Sequence, residues 1–342
     1  MKYLSAFLLV MALLTGCKNT GKGTPTEGGV SIAVFIPGVL AGSAIYEMLA
    51  DGTKKAAEEF ASSEQKAVAP KVTVIEGGFN QAEWESQITT LAASQTYSLI
   101  VTSNPSMPVI VSSVSHKFPK QKFLLLDGEL TGNPNVYTLR YNQREQAYMA
   151  GYIAALVSLE DNQGGAKTIG LLAAQEYPAM NDIILPGYLE GARAVDPAFS
   201  VDFRVVGNWF DAVKAAELAA GMIRSGVTVL LPIAGGAGQG AVQAAYEAGA
   251  KVIWFDTNGY AIRPGTIIGS AILRQDKAAY EKTMLYLKGE LPFGKAEVAG
   301  TADGFIDFVE DDPLYIAAVS QTIRDKQAQL VSRLRSGELK LD

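Results

Sequence analysis

The chain has 342 residues, 48% hydrophobic and 19% charged, with a formal net charge of −6 from 29 basic and 35 acidic side chains. Its length exceeds what one hydrophobic core usually organises, so two domains are expected. The acidic balance argues against a nucleic-acid partner, since phosphate binding wants a basic stripe. One histidine and one cysteine leave no cluster for a transition metal and no intrachain disulfide.

Lys2 supplies a positive start, and Tyr3 to Leu14 is an uncharged, mostly apolar run closed by Thr15-Gly16-Cys17. Such a run reaches about 18 Å as a helix at ~1.5 Å per residue, against a bilayer core of ~30 Å. Residues 1–16 therefore read as a secretory signal and not as a membrane span. Leu14-Thr-Gly-Cys17 resembles a bacterial lipobox, which makes Cys17 the expected lipidation site. Several acyl chains anchor stably where one is marginal. Residues 17–29, polar and rich in Gly and Thr, are expected to form a flexible leash. The protein is expected to be exported and lipid-anchored to the cell membrane, on its periplasmic or extracellular face.

Beyond residue 29, short β-rich runs alternate with longer helical ones. Strands are predicted at 30–37, 71–77, 98–103, 122–127, 168–173, 201–206, 227–233, 251–256 and 266–272. Several are unbroken apolar runs, such as Phe123-Leu-Leu-Leu126, as expected of parallel strands covered on both faces. Helical patterns fall at 45–61, 81–93, 143–159, 181–194, 211–225 and 238–248, and a last helical stretch at 312–334 would pack back across one lobe. The alternation implies a doubly wound α/β architecture. It resets near Tyr141-Asn142-Gln143, so two similar lobes are the economical reading.

Ligands of open α/β sheets meet the carboxyl ends of the strands, where aromatics and amides outnumber charges in this sequence. Trp209 follows a strand end, and Asp211 is a good N-cap for the next helix. An indole there stands at the rim with a face free for stacking. Tyr177 and Tyr46 occupy comparable rims. Asp256 ends an apolar strand, where an ionised carboxylate must find donors or water; ligand hydroxyls or the following turn would satisfy it.

The run Ile233-Ala-Gly-Gly-Ala-Gly-Gln-Gly240 follows a strand and opens a helix, the outline of a dinucleotide fingerprint. Its glycines, at 235, 236, 238 and 240, give no G-x-G-x-x-G register. It reads instead as a tight strand-to-helix turn at which Gly236 lets a ligand edge approach backbone N–H groups. Catalysis has little support. His116 sits at a solvated helix end, no G-x-S-x-G elbow exists, and Glu83/Glu85 and Asp311/Asp312 read as solvated faces or caps. An enzyme is not expected.

The lipobox, two lobes, Tyr141-Asn-Gln-Arg-Glu-Gln-Ala-Tyr-Met-Ala-Gly-Tyr152, Val206-Gly-Asn-Trp-Phe-Asp211, the Gly235-Gly236 turn and Trp254-Phe-Asp-Thr-Asn258 together resemble the basic membrane protein family. These are spirochaete-type lipoproteins typified by a purine nucleoside receptor. The resemblance covers essentially the whole mature chain. It implies a type I periplasmic-binding-protein fold: two doubly wound parallel-sheet lobes joined by three crossovers, 30–142 with 259–300 and 143–258 with 301–342. It also implies the ligand-capturing lipoprotein of an ABC importer, with permease and ATPase partners.

The family's stacking aromatic matches Trp209, its Gly-Gly turn matches Gly235 and Gly236, and its hydroxyl-binding aspartate matches Asp256. The nucleoside branch opens its first helix with Asp-x-Ser-Phe-Asn, where this chain has Gly42-Ser-Ala-Ile-Tyr46. A branch lysine appears as Leu273 with Arg274 beside it. Pro37-Gly-Val-Leu-Ala-Gly-Ser-Ala-Ile-Tyr-Glu-Met48 and Ala173-Ala-Gln-Glu-Tyr-Pro-Ala-Met-Asn181 look like the riboflavin-binding subgroup. That likeness implies Trp209 with Tyr46 or Tyr177 sandwiching the ring. Asn104, Gln143, Asn181 and Asn258 would meet its dione edge, and Asp256 with Arg274 would hold the ribityl tail. Riboflavin is then cargo and no cofactor is implied. A purine nucleoside receptor and a surface lipoprotein for adhesion are the alternatives.

Overall fold

The structure, a computed structural model, describes residues 29–63, 69–161 and 167–341. The signal segment and Cys17 lie outside the described residues. In chain order come β1 (Ser31–Ile36), α1 (Ala44–Ser63), β2 (Lys71–Glu76), α2 (Gln81–Ala93), β3 (Leu99–Ser103), α3 (Met107–Lys117), β4 (Lys122–Leu126) and β5 (Val136–Tyr141). Next are α4 (Gln143–Asp161), β6 (Thr168–Ala173), a π-turn at Met180–Ile184 running into α5 (Leu185–Val195), β7 (Ser200–Val205) and α6 (Ala212–Arg224). β8 (Val229–Ile233), a 3-10 turn at Gly235–Ala237, α7 (Gly238–Ala248), β9 (Lys251–Asp256) and β10 (Ile267–Leu273) follow. The chain closes with α8 (Gln275–Leu287), β11 (Ala296–Ala299), β12 (Ile306–Phe308), α9 (Pro313–Ala318) and α10 (Gln321–Arg335).

The strands form two sheets, ordered β11-β5-β4-β3-β1-β2 and β12-β10-β9-β8-β6-β7. The two orders are one pattern used twice, with β1 to β5 answered by β6 to β10. All pairs are parallel except β10 with β12. The inner strands β3 and β8 are buried from end to end, while the edge strands β2 and β7 are only part-buried. In the first sheet, side chains alternate between two apolar layers. Val34, Val101 and Leu124 join the main core; Phe35, Ile100 and Phe123 meet Trp84, Ile88 and Val111 of α2 and α3. Period-two alternation with helices on both faces is what makes the whole run apolar.

The lobes are joined by three crossings, after β5, after β10 and between β11 and β12. They are stitched side by side: the Asn142 amide donates to the Ala299 carbonyl (2.8 Å), the Arg274 amide to that of Phe305 (2.8 Å), and the Thr301 amide to the Glu145 carboxylate (2.7 Å). The second crossing differs from the expected division at 258/259. β10 pairs with β9 in the second sheet, and the chain returns to the first lobe only at α8, which packs on α1. Asp256-Thr-Asn258 leads into a turn that feeds the next strand of the same sheet.

Candidate binding cleft

Two counterpart strands, β4 and β9, finish on an aspartate. Asp127 directly follows β4 with φ +52°, and Asp256 is the last residue of β9 with φ +73°. Aspartate is among the few side chains that tolerate this left-handed backbone. Both keep partial solvent access although protein atoms crowd around them. Burial pushes the Asp127 carboxyl up to about 8; the Asp256 charge raises it further and Arg140 opposes the rise. Burial likewise pushes Asp256 up to about 6, against a hydrogen bond from Gln146. The Asp256 charge acting on Asp127 puts the carboxyl ends of β9 and β4, one in each sheet, within electrostatic reach.

On the first lobe, the Tyr46 hydroxyl donates to the Pro37 carbonyl (3.0 Å) and accepts from Asn104 Nδ2 (3.1 Å). The other end of the Asn104 amide accepts the Ser106 N–H at 2.8 Å. Burial pushes the Tyr46 hydroxyl up to about 12, with Asp127 adding to the rise. On the second lobe, Tyr177 is raised by burial and by both Asp127 and Asp256. Tyr46, Tyr177 and the two aspartates therefore share one electrostatic environment across the lobes.

Trp209 stands beside Tyr177, with ring centroids 6.3 Å apart and planes inclined by 38°. Its Nε1 donates to Gln175 Oε1 at 3.2 Å, its carbonyl accepts the Ala237 N–H at 3.1 Å, and 38% of the residue is exposed. The glycine turn wraps this tryptophan. Gly235 has φ +54°, and a Cβ there would lie 3.3 Å from the indole Cε3; one on Gly236 would lie 3.5 Å from the Trp209 carbonyl. Gly235 thus fixes the turn and the indole, while Gly236 is exposed at its tip.

Trp209, Tyr177, Tyr46, Asn104, Gly236 and Asp256 are thus on the facing rims. Of the other expected contacts, Asn181, Asn258 and Arg274 are engaged by protein partners. Gln143 is buried at the start of α4, beside the first crossing. Asn181 is exposed and donates to Glu176 (3.1 Å) within the π-turn region. Asn258, also exposed, donates to Asp312 (2.8 Å) and caps its own turn through Tyr260. Arg274 sits exposed at the second crossing, paired with Asp276 through two contacts of 3.1 Å.

Strand order places Asp127 and Gln175 at the rim from sequence alone, but assigns neither a role; Leu124-Leu-Leu-Asp127 ends an apolar strand just as Ile253-Trp-Phe-Asp256 does. Gln146 carries no comparable signal, because its partners Asp256 and Ala271 are distant in sequence. Below the rims, Tyr141 donates to Gln275 Oε1 and Gln275 Nε2 to Ser103 Oγ, both at 2.5 Å. This chain of bonds links β5, α8 and β3.

His116 Nδ1 lies 2.6 Å from the Ser112 carbonyl inside α3, and Glu85 is engaged by Ser113 and Lys117. Among the described residues, no group of three or more His, Cys, Asp or Glu side chains could hold a metal, and no helix is long and apolar enough to cross a membrane. Aromatic faces, carboxylates and amides gathered between two lobes can grip a polar-edged molecule.

The fold and its facing rims define a two-lobed, type I-like solute-binding architecture. An ABC transporter solute-binding protein from Aeropyrum pernix superposes with a TM-score of 0.78 at 22% identity, covering 92% of this chain and 93% of its own. The chain belongs to the Bmp family, the PnrA-like ABC transporter substrate-binding proteins, which it matches over residues 29–340. Basic membrane protein A2 of Borrelia garinii is 22% identical over 338 residues, 97% of this chain and 94% of that protein. The ABC transporter nucleoside-binding protein BmpA of Lactococcus lactis is 30% identical over 152 residues, and the match spans 44% of this chain and 40% of that relative.

Proposed function

We propose that this protein is the extracytoplasmic receptor of an ABC importer, anchored through Cys17, and that its cleft captures a flat heteroaromatic ring bearing a hydroxylated chain. Riboflavin is the ligand of this class we favour. The observation that carries the reading is the part-exposed Trp209 indole beside Tyr177, at a rim that also presents Asp256. An exposed indole held by a hydrogen bond and a glycine turn offers a fixed π-face at little ordering cost.

The dione edge is met differently from the sequence expectation. Asn104, Asn181 and Asn258 already spend their amides on Tyr46, Glu176 and Asp312. Asp127 is the free group on the facing lobe. With its carboxyl raised to about 8, it carries a proton at neutral pH and offers one donor and one acceptor. The imide edge of an isoalloxazine, alternating N–H and carbonyl, is complementary to that pair. Asp256 accepts from ribityl hydroxyls.

A purine nucleoside is the second reading, favoured by the nucleoside-binding relative from Lactococcus lactis. A ribose serves Asp256 as well as a ribityl chain does, and a purine stacks on Trp209. Titration of the purified protein with riboflavin, guanosine and inosine, followed by tryptophan fluorescence and calorimetry, separates the two. Saturable one-to-one binding of riboflavin supports the first reading. Binding of the nucleosides alone replaces it with the second, and binding of none of the three overturns both.

A further inference from the structure

We infer that Gln146 is a positioning residue for the cleft, whose side-chain amide fixes the Asp256 carboxylate as an acceptor for the ligand. Gln146 lies in the first turns of α4, just after the chain has crossed from the first lobe, and it is fully buried. Its Nε2 donates to Asp256 Oδ1 and to the Ala271 carbonyl, both at 3.0 Å. Both neighbours can only accept, so the amide has one workable orientation. That orientation leaves Oε1 buried without a partner, an arrangement that costs stability. A packing role alone would be met by an apolar side chain without that cost; the amide is explained by what its nitrogen does for Asp256.

The surroundings make this support necessary. Asp256 is faced by Asp127 from the end of β4, by Tyr141 from β5 and by Tyr177 after β6, and none of them brings a positive charge. Arg274, at the end of β10, is turned to Asp276, and Arg140 on β5 to Glu129. A hydrogen bond to the charged form of a carboxylate favours that form, and the Gln146 bond opposes the effect of burial at Asp256. Glu145, the preceding residue, accepts the Thr301 amide at the third crossing. The same turn of α4 thus holds a hinge strand and a ligand carboxylate.

The use of Asp256 as a ligand acceptor rests on the proposed function, but the Gln146–Asp256 coupling does not, and the experiment separates them. Asp256 is titrated by carboxyl-carbon NMR in the ligand-free protein, its signal identified by loss in Asp256→Asn. Gln146→Leu and Gln146→Glu are compared with the parent. The Asp256 midpoint is expected to rise in both variants, most in Gln146→Glu, where two acids share a proton. Riboflavin affinity is expected to fall about tenfold or more in Gln146→Leu at neutral pH, the scale of a lost bond to a charged group. Gln146→Glu differs so little in shape that it decides the matter if Gln146→Leu does not fold. An unmoved Asp256 midpoint in Gln146→Glu overturns the inference. A moved midpoint in a protein that ignores riboflavin, guanosine and inosine upholds it and removes the proposed function instead.

Discussion

At Trp209 the local contacts explain why an indole is left partly in water. The ring cannot sink into the second lobe because Gly235 and the Ala237 amide hold its backbone at the turn, and Gln175 holds its Nε1. Trp209→Ala should weaken binding of riboflavin, or of a nucleoside, by about 1–3 kcal/mol, the scale of ring stacking on an aromatic side chain. Calorimetric titration checks this, and an unchanged affinity would remove the indole from the binding surface.

Asp127 makes a different prediction, on stability. Its folded-state value is about 8, against an ordinary value near ~3.9 in the unfolded chain. Between those limits the folded state binds the extra proton, so this group's contribution falls as pH rises from about 4 to about 8. Asp127→Asn cannot ionise and escapes that loss. The ligand-free variant should melt several degrees above the parent near pH ~8, with the difference vanishing near pH ~4. Thermal melts across that range decide it, and a difference independent of pH would contradict the proposed proton on Asp127.

Among the elements, α4 and α5 show how closely the second lobe is packed. A Cβ on Gly151 of α4 would fall 1.9 Å from the Tyr188 carbonyl oxygen of α5, and one on Gly191 of α5 would fall 2.1 Å from that of Tyr148 on α4. The helices meet backbone to backbone, and neither glycine has a neighbour able to give way. Gly151→Ala should cost about 1–3 kcal/mol by overpacking, read as a lower melting temperature. A melt equal to that of the parent would show that the helices can separate freely.

The same scale shows which elements were legible in the sequence. The inner strands β1, β3, β4, β6, β8, β9 and β10 stand out as apolar runs because both faces are covered, and the edge strands β2 and β7 by their β-branched residues. α3 does not, because Val109-Ile-Val111 and its serines are poor helix formers; Pro108 in its first turn and the burial of Met107, Val111 and Val114 hold it helical. α8 turns Gln275, Lys282 and Thr283 inward and so shows no apolar stripe, and β11 and β12 are only edge additions of four and three residues. The expected helix over 312–334 is broken at Val319, where the backbone turns extended between α9 and α10. At the site, Trp209, Tyr177, Tyr46 and Asp256 were legible as rim residues because strand order dictates the rim. The amides were not, because a side chain's availability depends on partners such as Glu176 or Asp312 that no local pattern reveals.

For the molecule as a whole, one sheet pattern used twice places Asp127 opposite Asp256, with Tyr46 and Tyr177 after the counterpart strands β1 and β6. The three crossings lie near β5, β10 and β11, and the Trp209 rim follows the edge strand β7 at the far side of its sheet. Rotation about the crossings therefore moves Trp209 through a larger arc than Asp256, and a ligand touching both lobes favours the closed form by its differential affinity. The most direct test of this account is to identify, by mass spectrometry, the small molecule released on denaturing the protein purified from its own cells. The account predicts a single compound with a fused heteroaromatic ring and a hydroxylated chain, riboflavin first among them. A bound simple sugar or amino acid, with no ring for the indole to cover, would contradict it.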